Sequence, residues 1–177
     1  MIELVLGGAR SGKSRYAESV VRARPGPWVY IATGRAWDAE MRDRIVRHRQ
    51  ERGDGWLTVE EPLALARALR HAGDRPVLVD CLTLWLTNLL LEERDIPAAT
   101  AELQEALSVR KAMTVLVGNE VGLGIVPDNA LARRFRDEAG WLHQTIAAYA
   151  DKVVLTVAGI PMVAKPAAGE AGPHHRS

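Results

Sequence analysis

Gly7, Gly8, Ala9, Arg10, Ser11, Gly12, Lys13 and Ser14 follow a G-x-x-x-x-G-K-[ST] spacing. Glycines reach backbone angles closed to other residues, so consecutive N–H groups can turn inward around an anion. A helix starting directly after such a loop adds unpaired N–H groups and a positive dipole end. Lys13 is then placed to reach β- and γ-phosphates, and the Ser14 hydroxyl to join a Mg2+ shell. That chemistry is nucleoside triphosphate binding; the loop by itself chooses no reaction. A Mg2+ site needs a second oxygen ligand, and Asp80 closes the apolar run Val-Leu-Val-Asp where a strand-end acid is expected. The same carboxylate could instead cap a helix beginning at Leu82. Glu120 follows another apolar run. It is a candidate for orienting water, metal or substrate, or else a solvated loop residue.

A second cluster lies at residues 41–52, Met-Arg-Asp-Arg-Ile-Val-Arg-His-Arg-Gln-Glu-Arg, where Arg42, Arg44, Arg47, Arg49 and Arg52 crowd around His48. At 100° per residue His48 shares a helix face with Met41 and Ile45. On that placement it is a histidine at the edge of the core of a salt-bridged helix. It also has the makings of a nucleophile. A neutral imidazole can attack phosphorus to form a phosphoramidate, neighbouring guanidinium groups disfavour its protonation, and they can hold phosphate oxygens. Composition leaves both readings open.

These residues need elements to position them. Five short apolar runs read as strands: 2–7, 28–33, 76–81, 114–119 and 152–159. Most are apolar on both faces, as in a parallel sheet covered on both sides. Helical patterns lie between them. One follows the glycines from 13 to about 24, and one is capped by Asp38. Another has Pro62 in its first turn; two more span 82–92 and 98–112. A long helix capped by Asp128 carries the stripe Leu131, Phe135, Leu142 and Ile146. Strands alternating with helices predict a doubly wound α/β sheet, mostly parallel, with helices on both faces, and ligands at the carboxyl ends of its strands.

With 177 residues the chain is expected to form one domain over 1–165, and the segment 166–177 to be a disordered tail. Its His174–His175 pair reads as solvated. The net charge of +1 gives no support for a general nucleic-acid or membrane-surface role. A single cysteine, Cys81, excludes an internal disulfide and suits a reducing cytoplasm. No apolar run is long enough to span a membrane. The tryptophans Trp28, Trp37, Trp56, Trp85 and Trp141 are compatible with a contact surface or with packing on a large ligand, and each taken singly reads as core filling.

Four blocks in order carry a resemblance: LGGARSGKSRYAE, YIATGRAWDAEMRDRIVRHRQERG, WLTVEEP and GNEVGLGIVPDNALARRFRDEAGWLHQ. Over residues 2–165 the chain resembles the bifunctional adenosylcobinamide kinase / adenosylcobinamide-phosphate guanylyltransferase family of cobalamin biosynthesis. The glycine loop is common to many families; the Arg-His-Arg helix and the Asn-Glu-Val-Gly block are far more specific. The resemblance implies a P-loop fold of the recombination-protein type and two reactions. ATP or GTP phosphorylates the aminopropanol hydroxyl of adenosylcobinamide. GTP then guanylylates a histidine, which matches His48, and the GMP passes to adenosylcobinamide phosphate, giving adenosylcobinamide-GDP and pyrophosphate. Family nucleotide contacts carry over onto residues 7–14, Thr33, Gly34, Arg35, Arg49, Gln50, Glu51, Arg52, Glu60 and Asp80. Glu61 competes with Glu60, and guanine recognition competes with the metal role at Asp80. The resemblance also implies a homo-oligomer, expected as a trimer. One loop serving two phosphorus centres predicts that the His48 helix moves about Gly34 and the glycines at 53 and 55. The rival functions are a P-loop kinase of another small alcohol with no covalent intermediate, and a nucleotide-switched protein gripping nucleic acid through the arginine helix.

Overall fold

The computed structural model describes residues 1–35 and 53–170. Among them, seven strands form a single sheet: β1 (Ile2–Gly7), β2 (Trp28–Ala32), β3 (Trp56–Glu60), β4 (Val77–Asp80), β5 (Thr114–Asn119), β6 (Lys152–Val157) and β7 (Ile160–Lys165). Their order across the sheet is β3-β2-β4-β5-β1-β6-β7, and every pairing is parallel except β6 with β7. The helices among the described residues are α1 (Lys13–Arg22), α2 (Leu65–His71), α3 (Leu82–Leu91), α4 (Ile96–Ser108) and α5 (Ala130–Tyr149).

Alternation along the strands divides the core in two. Ile2, Leu4, Val29, Ile31, Val77, Val79 and Leu116 pack with α2, α3, α4 and α5. Val5, Tyr30, Leu78, Val115 and Val117 turn the other way onto Ala17 and Val21 of α1. The central strands are apolar on both faces because both faces are covered.

Two strands were not expected from the sequence, and both lie at sheet edges. β3 has one exposed face, with Leu57 and Val59 open to solvent. The run expected at 152–159 breaks instead into a hairpin at Ala158 and Gly159, both at positive φ, and returns as β7. Pro62 does not begin a helix. The chain turns there and α2 starts only at Leu65, with Ala64 as its N-cap residue. Asp128 does not cap the long helix; Asn129 does, its side-chain oxygen accepting from the Ala132 N–H at 2.7 Å. In the expected stripe, Leu142 and Ile146 are buried and Phe135 packs against the core, but Leu131 is exposed. The helix expected at 98–112 starts earlier, at Ile96, under an Asp95 cap, and ends at Ser108. Trp85 is buried, Trp28 and Trp56 are half-buried with ring centroids 5.5 Å apart, and Trp141 is exposed.

The start of the expected tail touches the body: Ala167 is buried and Glu170 pairs with Lys152 at 2.8 Å. Among the described residues no helix is long and apolar enough to cross a membrane.

Candidate functional site

Strand register places one residue type after another on a single edge. Gly7 pairs with Asn119 on one side and Thr156 on the other. Asp80 pairs with Val117 and with Ala32, and Ala32 pairs with Glu60. The carboxyl ends of β1 to β6 therefore line up, with the glycine loop rising from β1 between β5 and β6.

The loop is tight where it meets the sheet. A Cβ on Gly7 would lie 2.4 Å from Ser11 Oγ and 2.7 Å from the Thr156 carbonyl oxygen, so only glycine fits. Gly12 has φ 93° and serves as the N-cap of α1, with no side-chain cap. The first-turn N–H groups of α1 thus face the loop without a competing side-chain acceptor. Two backbone bonds pin the loop from either side: Glu120 N–H donates to the Gly7 carbonyl at 3.0 Å, and Gly159 N–H donates to the Ser11 carbonyl at 2.8 Å. The Lys13 ammonium donates to the Gly8 carbonyl at 3.1 Å, which holds it over the loop.

Ser14 and Asp80 converge although 66 residues separate them: Ser14 Oγ donates to Asp80 Oδ2 at 3.4 Å. Tyr30 OH donates to the same oxygen at 3.0 Å. Asp80 does not cap α3. Cys81 occupies the N-cap position with no side-chain cap bond, and burial, then the Asp80 charge, pushes its thiol up to about 11. A hydroxyl and a carboxylate side by side are the hard oxygen donors that Mg2+ takes in nucleotide sites, where phosphates and water complete the shell. No cluster of three metal-ligating side chains occurs among the described residues. The donor pair therefore suits a metal shared with a phosphate better than a protein-only cage.

Thr33 is wholly buried. Its hydroxyl donates to the Cys81 carbonyl at 2.7 Å and accepts from the Cys81 N–H at 2.8 Å, which ties β2 to β4. Any contact it makes with a ligand comes from main chain rather than from its hydroxyl. Arg35 pairs with Glu92 at 2.5 Å. Glu61 is consumed by structure. Its carboxylate accepts from the N–H groups of Leu63 (3.2 Å) and Ala64 (2.9 Å) and from Arg67 (3.0 Å). Burial raises its pKa, but these bonds outweigh burial and hold it below the ordinary carboxylate value. Glu60 is exposed at the end of β3. Four strand spacings, about 19 Å, separate it from Gly7, too far to touch a phosphate in the loop. Asp80 is two spacings away, about 10 Å. The edge thus orders phosphate cradle, metal donors and a distal acid in a line.

Glu120 sits beside the cradle, and its Oε1 accepts from the Gly122 N–H at 2.6 Å. Its charge opposes the effect of burial on His143, whose pKa burial lowers. His143 is buried under Gly118 with no partner for Nε2. His48, Arg49, Gln50, Glu51 and Arg52 lie outside the described residues.

Several contributors went unforeseen. Asn88 is buried in an otherwise leucine-rich helix and donates to the Thr33 carbonyl (2.7 Å) and the Pro62 carbonyl (3.0 Å), clamping the exits of β2 and β3. An asparagine among leucines was the available signal. Thr83 accepts from the Asn119 amide at 3.0 Å and steadies the end of β5. The Gly159 turn buttresses the loop, and its only signal was an alanine-glycine pair inside an apolar run.

The sequence profile described as cobinamide kinase / cobinamide phosphate guanyltransferase matches residues 3–164. The chain is 51% identical to the bifunctional adenosylcobalamin biosynthesis protein CobP of Pseudomonas aeruginosa, over 93% of this chain and 98% of that one. It is 44% identical to the Escherichia coli protein CobU, over 90% and 97%. Among solved structures it is similar to the flagellar accessory protein FlaH of Methanocaldococcus jannaschii (TM-score 0.52, 12% identity, 97% of this chain and 81% of the other). It is also similar to an ATPase from the type III secretion system of pathogenic bacteria (TM-score 0.50, 12% identity, 87% and 50%). At that identity these neighbours bear on the fold alone, which is that of P-loop NTPases.

Proposed function

The chain belongs to the cobinamide kinase / cobinamide phosphate guanyltransferase family, whose members are bifunctional enzymes of cobalamin biosynthesis, and from that premise we propose how its residues divide two reactions. In the kinase step ATP or GTP lies with its phosphates in residues 7–14. Lys13 leaves the Gly8 carbonyl for the β- and γ-phosphates, where its charge offsets that developing in transfer. The aminopropanol hydroxyl of adenosylcobinamide attacks the γ-phosphorus, the bond to the β–γ bridging oxygen breaks, and the nucleoside diphosphate leaves. Ser14 and Asp80 would hold Mg2+, which when bound neutralises phosphate charge.

In the guanylyltransferase step His48 attacks the α-phosphorus of GTP and pyrophosphate leaves. The phosphate of adenosylcobinamide phosphate then displaces the histidine, giving adenosylcobinamide-GDP and freeing the imidazole. Arg49, Gln50, Glu51 and Arg52 contact this nucleotide. Glu60, open at the distal end of the edge, contacts its base or sugar, whereas Glu61 is occupied by the turn that leads into α2. Thr33, Gly34 and Arg35 lie between phosphate and base. The working form is a cytoplasmic homotrimer.

The observation that carries this reading is the convergence of Lys13, Ser14 and Asp80 on the glycine loop in a chain of this family. GTP labelled at the α-phosphate tests it. The protein should retain acid-labile, alkali-stable label, mass spectrometry should locate GMP on His48, and His48→Asn should retain none while still phosphorylating cobinamide. Kinase turnover with no adduct on the unaltered protein would leave a plain P-loop kinase of a small alcohol.

A further inference from the structure

The segment Val-Gly-Leu-Gly-Ile-Val-Pro at 121–127 holds no charged residue. It presents Leu123, Ile125 and Val126 to solvent at 87%, 97% and 62% exposure. Exposed aliphatic residues in a loose loop would mean little. This loop is anchored on both sides. Where it begins, Glu120 N–H is bonded to the Gly7 carbonyl and its carboxylate to the Gly122 N–H. Where it ends, Arg133 donates to the carbonyls of Pro127 (2.9 Å) and Asp128 (2.8 Å), and Asn129 caps α5. Past Asp128 and Asn129 in the chain, α5 borders a second apolar surface. Leu131 and Phe135 of α5 face Leu90 and Leu91 of α3 across a trough of about 390 Å³.

We propose that this anchored lip and trough bind the corrinoid body of the acceptor, a macrocycle whose rim is methyl groups and neutral amides. The assignment rests on the function proposed above. Three arguments favour this occupant. The first is reach. Glu120 is bonded to the loop itself, so three residues of chain, at most about 11 Å, separate the phosphate cradle from Leu123. An acceptor whose hydroxyl must approach within about 3.5 Å of the γ-phosphorus has to rest its body on whatever borders the cradle at that range. The second is chemistry. A surface with no charge between 121 and 127 offers nothing to a second nucleotide's phosphates, but suits a large ring rimmed by methyl groups and uncharged amides. The third is rigidity. Surface fixed before binding spends little of its binding energy on ordering the loop.

The test uses the full chain carrying Leu123→Ser with Ile125→Ser. Kinase rates are measured against cobinamide and against nucleotide, and cobinamide binding is followed by equilibrium dialysis through its visible absorbance. We expect the KM and the dialysis Kd for cobinamide to rise at least about tenfold, since two aliphatic groups lose their cover. The kcat at saturation should stay within about twofold, and the nucleotide KM and the mass by light scattering should be unchanged. Ile125→Asn alone gives the same readout should the double variant unfold early, since its almost fully exposed side chain has few folded-state contacts to lose. An unchanged cobinamide KM in an active enzyme overturns the assignment. So does a fall in mass, which would make the lip a contact between copies of the chain. A wild-type chain that neither binds nor phosphorylates cobinamide removes the functional reading itself, a result distinct from either.

Discussion

Replacing Gly7 by alanine is the sharpest probe of the cradle, because the structure says what the added methyl meets. Its Cβ would stand 2.4 Å from Ser11 Oγ, 3.2 Å from Ser11 Cβ and 2.7 Å from the Thr156 carbonyl oxygen. The two obstacles differ in kind. Ser11 Oγ is buried and has no hydrogen-bond partner, so it can rotate without breaking a bond. Thr156 is the strand partner of Gly7, and its carbonyl moves only if β6 moves away from β1. Overpacking of this sort costs about 1–3 kcal/mol. With backbone on one side, the upper end applies. A loss of about 3 kcal/mol lowers the Tm of a chain this size by about 6–12 °C. Adding Ser11→Ala removes only the oxygen that can already rotate aside and leaves the Thr156 carbonyl, so the double variant should recover no more than about 1 kcal/mol. Melting with and without ATP separates fold from function. Ligand at a hundred times its Kd stabilises the native protein by about 2.7 kcal/mol, and that increment should shrink in Gly7→Ala because the first turn of the cradle is displaced. A single variant melting within about 2 °C of the parent, or a double variant restored to the parent's Tm, would refute the reasoning.

Three further outcomes follow from the same site. Lys13→Ala should weaken nucleotide binding and depress both reactions by about a hundredfold or more in kcat/KM while leaving the melting curve almost unchanged, as read by paired kinase and guanylylation assays. Glu61→Ala should cost about 1–2 kcal/mol of stability through loss of its bonds to Leu63, Ala64 and Arg67 in the turn before α2 without altering the GTP Kd, whereas Glu60→Ala should weaken GTP binding with stability within about 0.5 kcal/mol, as chemical denaturation and titration calorimetry would show. His143 is held neutral by burial, with Glu120 opposing, so its folded pKa lies below the unfolded value of about 6.5. The unfolded chain therefore takes up the proton first. Stability should be full above about pH 6.5 and decline below it. Thermal melts from pH 7.5 to 5.5 should show this slope flattened in His143→Gln.

What the sequence made legible follows from where the constraints are local. The glycine loop is a contiguous pattern with a strand before it and a helix after it, so its place on β1 could be read directly. The buried strands β2, β4 and β5 announced themselves as apolar runs, and β1 as one interrupted only by the buried Glu3, because helices cover both their faces. The edge strands did not. β3 reads Trp-Leu-Thr-Val-Glu, half-exposed and mixed, and β7 opens with an exposed isoleucine and a proline that only an edge tolerates. Caps failed by one residue at Asp128 and Asn129, since both side chains can cap and only the backbone decides. The choice between Glu60 and Glu61 was invisible for a related reason. It depends on which carboxylate the turn before α2 consumes, a three-dimensional fact carried by Leu63, Ala64 and Arg67. The Ser14–Asp80 approach was expected from the loop pattern, while the Asn88 and Thr83 clamps that set the same edge were not, because a buried amide declares its partners only once strands are ordered.

The two backbone bonds on the glycine loop draw these features together. Gly7 gives its carbonyl to Glu120 and Ser11 gives its carbonyl to Gly159, so the cradle is fastened to the strands on both sides of β1. A phosphate entering it orders little new chain, and the entropy that a free glycine loop would lose on binding has already been lost in folding. The bond to Glu120 also fixes the start of the apolar segment 121–127 relative to the phosphates. Any shift of that segment under an acceptor must therefore strain or move Gly7. Nucleotide and acceptor affinities should be coupled through this one contact, and by linkage the coupling must be equal in both directions.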